Sequence, residues 1–87
     1  MKPGEELIDQ GIADLKEGLE TVPSLLVSIG ATRLKRAGLA IPDNTFDNPE
    51  HRLYFLLCDL YGNGAHSKYN SYIRRLVSFE RAAECGL

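Results

Sequence analysis

The stretch Asn48-Pro49-Glu50-His51-Arg52-Leu53-Tyr54-Phe55-Leu56-Leu57-Cys58-Asp59-Leu60-Tyr61-Gly62-Asn63-Gly64 decides how this chain folds. Asn48 is a good cap residue, and Pro49 suits the first helical position, where its missing N–H costs no intrahelical hydrogen bond. Leu53, Leu56, Leu57 and Leu60 then recur at three- and four-residue spacing, the mark of a helix with one apolar stripe. Gly62-Asn63-Gly64 stops that helix and lets the chain reverse. The spacing therefore predicts a helix over 49–61, with Tyr54 and Tyr61 beside the leucine stripe. Arg52 and Asp59 form the only polar strip of its middle turns, and Phe55 projects close to that strip, away from the leucines.

Beyond the glycine break, Tyr69, Tyr72, Ile73, Leu76, Val77, Phe79 and Ala83 give one face of a helix over 65–84, an antiparallel hairpin partner for the first. Upstream, Pro23 fits a first helical turn capped by Thr21, and Gly38 fits a terminator, so a helix is expected over 23–37. Its inward residues are Leu26, Val27, Gly30, Leu34 and Ala37. Ile8, Ile12, Leu15, Leu19 and Val22 lie in a stripe about 80° wide, which suits a peripheral helix over 5–20. Gly11 and Gly18 on one edge of that stripe offer room for another backbone. The loop 38–47 carries Pro42-Asp43-Asn44 as a turn, with Leu39, Ile41 and Phe46 as anchors that draw it onto the helices. The expected fold is all-α: a small single-domain four-helix bundle-like fold over residues 1–87, with a C-terminal antiparallel helix hairpin and the third helix at its centre.

Composition sets the limits. Leu, Ile, Val and Phe make up 24 of 87 residues, enough for a chain to collapse. A domain this small buries only about two thirds of the surface its unfolded chain exposes, so further stabilisation is expected. Cys58 and Cys85 have neither the number nor the spacing of a disulfide framework, and dimerisation is the natural supplement. Met1 opens the chain as it would a complete small protein, no leader pattern follows it, and the longest apolar run is too short for a membrane span. The expectation is a cytoplasmic protein with no membrane partner. Net charge is −2, with residues 1–22 acidic and residues 23–46 and 63–87 mildly basic. Helices of opposite charge lying side by side account for that pattern.

All seven aromatic residues fall between positions 46 and 79. Arg52, Tyr54, Phe55, Cys58 and Asp59 form a candidate protein interface, because Phe55 has no place in a core built on the leucines. The expected partner is another protein or a second copy, Phe55 being covered by that copy or by the loop. A second candidate is the polar face of the last helix. Lys68, Asn70, Arg74, Arg75 and Arg81 there, with Ser71 and Ser78, are types that meet phosphates and base edges, and a glycine-containing turn joins two helices as in DNA-reading pairs. Overall acidity weakens that nucleic-acid reading. Tyr54, Tyr61, Tyr69 and Tyr72 at helical spacing belong first to a core edge and secondarily to a small-ligand pocket.

Glu80 projects between Ile73, Leu76 and Ala83. It is expected to meet water, or Arg33 or Arg36, where the last helix leaves the bundle. Asp47, Glu50 and His51 gather at a helix start, where acids suit the dipole. His51 and His66 have no partner at helical spacing. No catalytic, metal or cofactor pattern is present, so neither enzyme nor cofactor is expected.

Overall fold

The computed structural model describes residues 3–85, and these form four α-helices and one turn of 3₁₀ helix, with no strand among them. The helices are α1 (Glu5–Lys16), α2 (Val22–Arg36), α3 (Pro49–Tyr61) and α4 (Ala65–Glu84). The 3₁₀ turn Gly62–Gly64 joins α3 to α4. None of the described helices is long and apolar enough to cross a membrane.

Local chemistry sets most of these boundaries. Thr21 and Ser24 form a reciprocal capping box at the start of α2: the Ser24 N–H donates to Thr21 Oγ1 at 3.2 Å and the Thr21 N–H to Ser24 Oγ at 2.8 Å. Two helices end in the same way. After α1 the Gly18 N–H reaches Leu15 O at 3.0 Å and the Leu19 N–H reaches Asp14 O at 2.9 Å; after α2 Gly38 and Leu39 repeat this onto Lys35 and Leu34. These are Schellman endings, and both require left-handed backbone, met by glycine at φ 72° and 98°. The first helix is thus shorter than its apolar stripe suggests, because Gly18 terminates it rather than packing inside it. Leu19 lies beyond the helix and is exposed. Asn48 precedes α3 as expected but makes no side-chain cap; it takes up left-handed backbone at φ 48° instead, a conformation asparagine tolerates better than most residues.

The centre of the fold is α2, not α3. Ser24, Leu25, Leu26, Val27, Ser28, Gly30 and Leu34 are all buried in α2, whereas α3 buries only Leu53 and Leu57. The reason is position: α2 packs against α1, α3 and α4 together. Leu60, expected in the α3 core stripe, is 58% exposed. The α1–α2 crossing is close because Gly11 has no side chain; a Cβ there would come within 2.5 Å of Val27 Cγ2 and press on the Pro23 carbonyl. Gly30 makes equivalent room for α4, admitting Leu76 and the Glu80 carboxylate.

Ser24 in the first turn of α2 and Ser28 one turn further on are buried without penalty because each is paired. Ser28 Oγ donates to Ser24 O at 2.9 Å and accepts the Phe46 N–H at 3.2 Å. Buried Asp14 of α1 accepts from Gln10 Nε2 at 2.8 Å and from Thr21 Oγ1 at 2.6 Å. Asn44 Nδ2 donates to Leu15 O at 2.6 Å, and Ile41 is buried, so the 38–47 loop lies on the helices as its apolar anchors require. Among the described residues no buried side-chain polar atom lacks a partner.

Candidate functional site

Glu80 is the one buried carboxylate of α4. It is 4% exposed, so α4 does not leave the helices near this turn, and Phe79 beside it is buried too. Its Oε1 lies 3.0 Å from Arg33 Nη1, the partner expected from the sequence. Arg33 also grips Glu84 through Nε at 2.9 Å and Nη2 at 2.7 Å. One guanidinium therefore ties two turns of α4 to the end of α2. Burial pushes the Glu80 carboxyl above its ordinary value despite the Arg33 charge, whereas the Arg33 hydrogen bonds hold Glu84 below its own. Every strong contact of this cluster is internal, which makes it a structural clamp.

The residues of the candidate protein interface divide. Phe55 is 67% exposed, so the loop does not cover it, and Tyr54, Cys58 and Asp59 are also exposed. Arg52 is turned away from them. Its Nε donates to Asp47 O at 2.8 Å, its Nη1 to Glu20 Oε1 at 3.1 Å, and its guanidinium lies 5.7 Å from the Phe46 ring centre. It fastens the loop and the α1–α2 connection to the start of α3. Leu60 and Tyr61 add to the apolar surface α3 leaves exposed.

On α4, Lys68, Asn70, Arg74, Arg75 and Arg81 are all exposed. Lys68 Nζ lies 4.9 Å from the Tyr61 ring centre, and the Arg75 guanidinium lies 5.5 Å from that of Tyr72. Arg74 and Arg75 line a shallow cleft of about 310 Å³ with Ser71, Ser78 and Pro3. Arg81 is not part of it.

A second cleft lies between α3 and α4. This cleft of about 390 Å³ is lined by Glu50, His51, Tyr54, Phe55, His66, Tyr69 and Asn70. The first two turns of α3 present Glu50, His51, Tyr54 and Phe55, and the first turns of α4 supply the rest. The Tyr54 and Tyr69 rings meet edge to face at 62° with centres 5.7 Å apart, and the His51 ring is 6.4 Å from that of Phe55. His66 does have a partner one turn on, since Asn70 Nδ2 lies 3.3 Å from its Nε2. Tyr69 is held above the ordinary tyrosine value, first by burial and then by the negative charge of Glu50.

Of the four tyrosines considered as a pocket, only Tyr54 and Tyr69 line this cleft. Both histidines of the chain join them, which spacing along the sequence did not indicate, because the two are brought together across separate helices. Among the described residues no three His, Cys, Asp or Glu side chains gather as a metal set would. No protein-family model, curated protein or solved structure gives a significant match to this chain.

Proposed function

We propose that this chain is a small non-catalytic interaction protein that acts through protein–protein contact, and that a second copy of itself is the partner. In this reading the chain is a four-helix bundle whose last two helices form an antiparallel hairpin, and the outer face of α3 is the contact. The observation that carries it is Phe55, 67% exposed beside Tyr54 and Cys58 on a helix that also exposes Leu60 and Tyr61. Large apolar side chains left exposed together along one helix of so small a domain suit an interaction site.

The polar groups around Phe55 suit a copy of the same face. His51 stands one turn before Phe55 and Asp59 one turn after it. When two α3 helices pair antiparallel about a two-fold axis at Phe55, the imidazole of each copy meets the carboxylate of the other, an isologous contact. Arg52, engaged with Glu20 and Asp47, keeps the start of α3 rigid beneath that contact.

Sedimentation of the wild type and of Phe55→Asp tests the reading. The wild type is expected to dimerise at high micromolar concentration. The variant should stay monomeric with unchanged helical circular dichroism, because Phe55 is not a core residue. In parallel, thiol labelling of exposed Cys58 should slow as concentration rises. A wild type that remains monomeric, with Cys58 labelled at one rate at all concentrations, refutes the proposal.

A second reading, nucleic-acid binding by the basic face of α4, has in its favour the two arginines and two serines that share one cleft. It requires salt-dependent binding of DNA or RNA that Arg74→Ala and Arg75→Ala weaken.

A further inference from the structure

We propose that the cleft between α3 and α4 is a binding site for a small organic cation carrying an alkylated ammonium group. This goes beyond the pairing of two copies; because His51, Tyr54 and Phe55 belong to both surfaces, the site is tested at a protein concentration below that at which the chain pairs. Three aromatic rings, Tyr54, Phe55 and Tyr69, line one concavity, and the two tyrosines stand at 62° to one another. Those two rings touch edge to face and so form one angled wall, against which a rounded group rests better than a flat one stacks. The faces of aromatic rings attract cations, and alkylated ammonium ions suit them best because they shed water easily.

The charge at the cleft selects the same ligand. Among the described residues that line it, Glu50 is the only carboxylate and there is neither lysine nor arginine. An anion would meet the Glu50 carboxylate there, whereas a cation gains a counter-ion. The Glu50 charge is felt at Tyr69 across the cleft, where it helps hold the phenol protonated. Asn70 and His66, paired with each other at 3.3 Å, add hydrogen-bonding groups that suit a hydroxyl or amide beside the ammonium. A volume of about 390 Å³ is within the range of small-molecule sites.

Choline and its neutral isostere 3,3-dimethylbutan-1-ol are the probes that isolate the charge. Each is titrated into the full chain while the ring resonances of Tyr54, Phe55 and Tyr69 are followed by NMR. Sedimentation at the same protein concentration records the oligomeric state, so failure of the cation site and failure of pairing are read separately. Choline should shift these three rings and bind at least about fivefold more tightly than the isostere, the factor expected from one screened charge pair. Glu50→Gln, an exposed and conservative change, should remove most of that preference, and Tyr69→Leu should abolish binding while Tyr69→Phe retains it. Equal binding of the two probes overturns the proposal, since the cleft would then be apolar only. So does the absence of shifts in these rings at about 50 mM choline, far above the affinity a ligand of this size can be expected to show in a formed site.

Discussion

Replacing Gly11 by alanine tests the geometry on which the rest of the fold is built. An added methyl would lie 2.5 Å from Val27 Cγ2 and 2.8 Å from the Pro23 carbonyl carbon, against an ordinary carbon–carbon contact of about 3.5–4.0 Å. Val27 could change rotamer only within a closed core, since it is wholly buried. The Pro23 carbonyl cannot turn aside at all. It belongs to the first turn of α2, between Thr21 and Ser24, whose capping box fixes it. Relief then requires α1 and α2 to separate by roughly 1 Å, which opens space around Ile8 and Leu15. Overpacking of this kind costs about 1–3 kcal/mol, and the upper part of that range applies because the obstruction is backbone. Alanine regains about 1 kcal/mol through its better helix propensity. The net loss is about 1–2 kcal/mol, which for a domain of this size lowers Tm by roughly 5–15 °C. Thermal unfolding followed by far-UV circular dichroism reads it directly. An unchanged or raised Tm would refute the close α1–α2 crossing.

Two further substitutions probe the buried polar groups. Because burial raises the Glu80 carboxyl above its unfolded value, the folded chain binds that proton more tightly, and the group costs stability as pH rises from the ordinary glutamate value through the raised one. The stability of wild type relative to Glu80→Gln should therefore fall across that window in urea titrations, and a difference independent of pH would show that Glu80 is not desolvated. Asp14→Ala leaves the Thr21 hydroxyl and Gln10 amide without their acceptor and should cost about 1–3 kcal/mol in denaturant midpoint. Asp14→Asn, which keeps one acceptor oxygen, should cost less, and equal losses in the two would refute the role given to that oxygen.

Helix punctuation was the most legible part of the sequence. Thr21, Pro23, Gly38, Pro49 and the Gly62-Asn63-Gly64 break each act through backbone chemistry confined to a few residues, so their effects can be read without knowing the fold. The rank of the helices was less legible. The apolar density of residues 53–58 resembles a core, but Phe55 and Cys58 in it point outward. In α2, Ser24, Ser28 and Gly30 dilute the apolar pattern even though all are buried. Their burial rests on hydrogen bonds and close approach, which hydrophobic periodicity does not record. Gly18 reads from its spacing as room for another backbone, and the pair of hydrogen bonds at the end of α1 shows it to be a terminator instead. Phe55 was legible as the residue without a place in the core. The cleft beside it was not, because His51 and His66 come together only through the register of α3 against α4.

The run of hydrogen bonds from Gln10 through Asp14, Thr21, Ser24 and Ser28 to the Phe46 amide has a kinetic consequence. The loop amide at Phe46 is closed by a side chain of α2, and Asp14 of α1 is closed by the cap of α2. Neither the loop nor α1 can open without disturbing the first turns of the same helix. Amide hydrogen exchange should therefore see them as one cooperative unit, with Phe46 exchanging in step with the amides of α2 despite its place in an irregular segment. The exposed side chains of α3 around Phe55 stand outside that network, so they can repack against a bound molecule while the backbone keeps its protection.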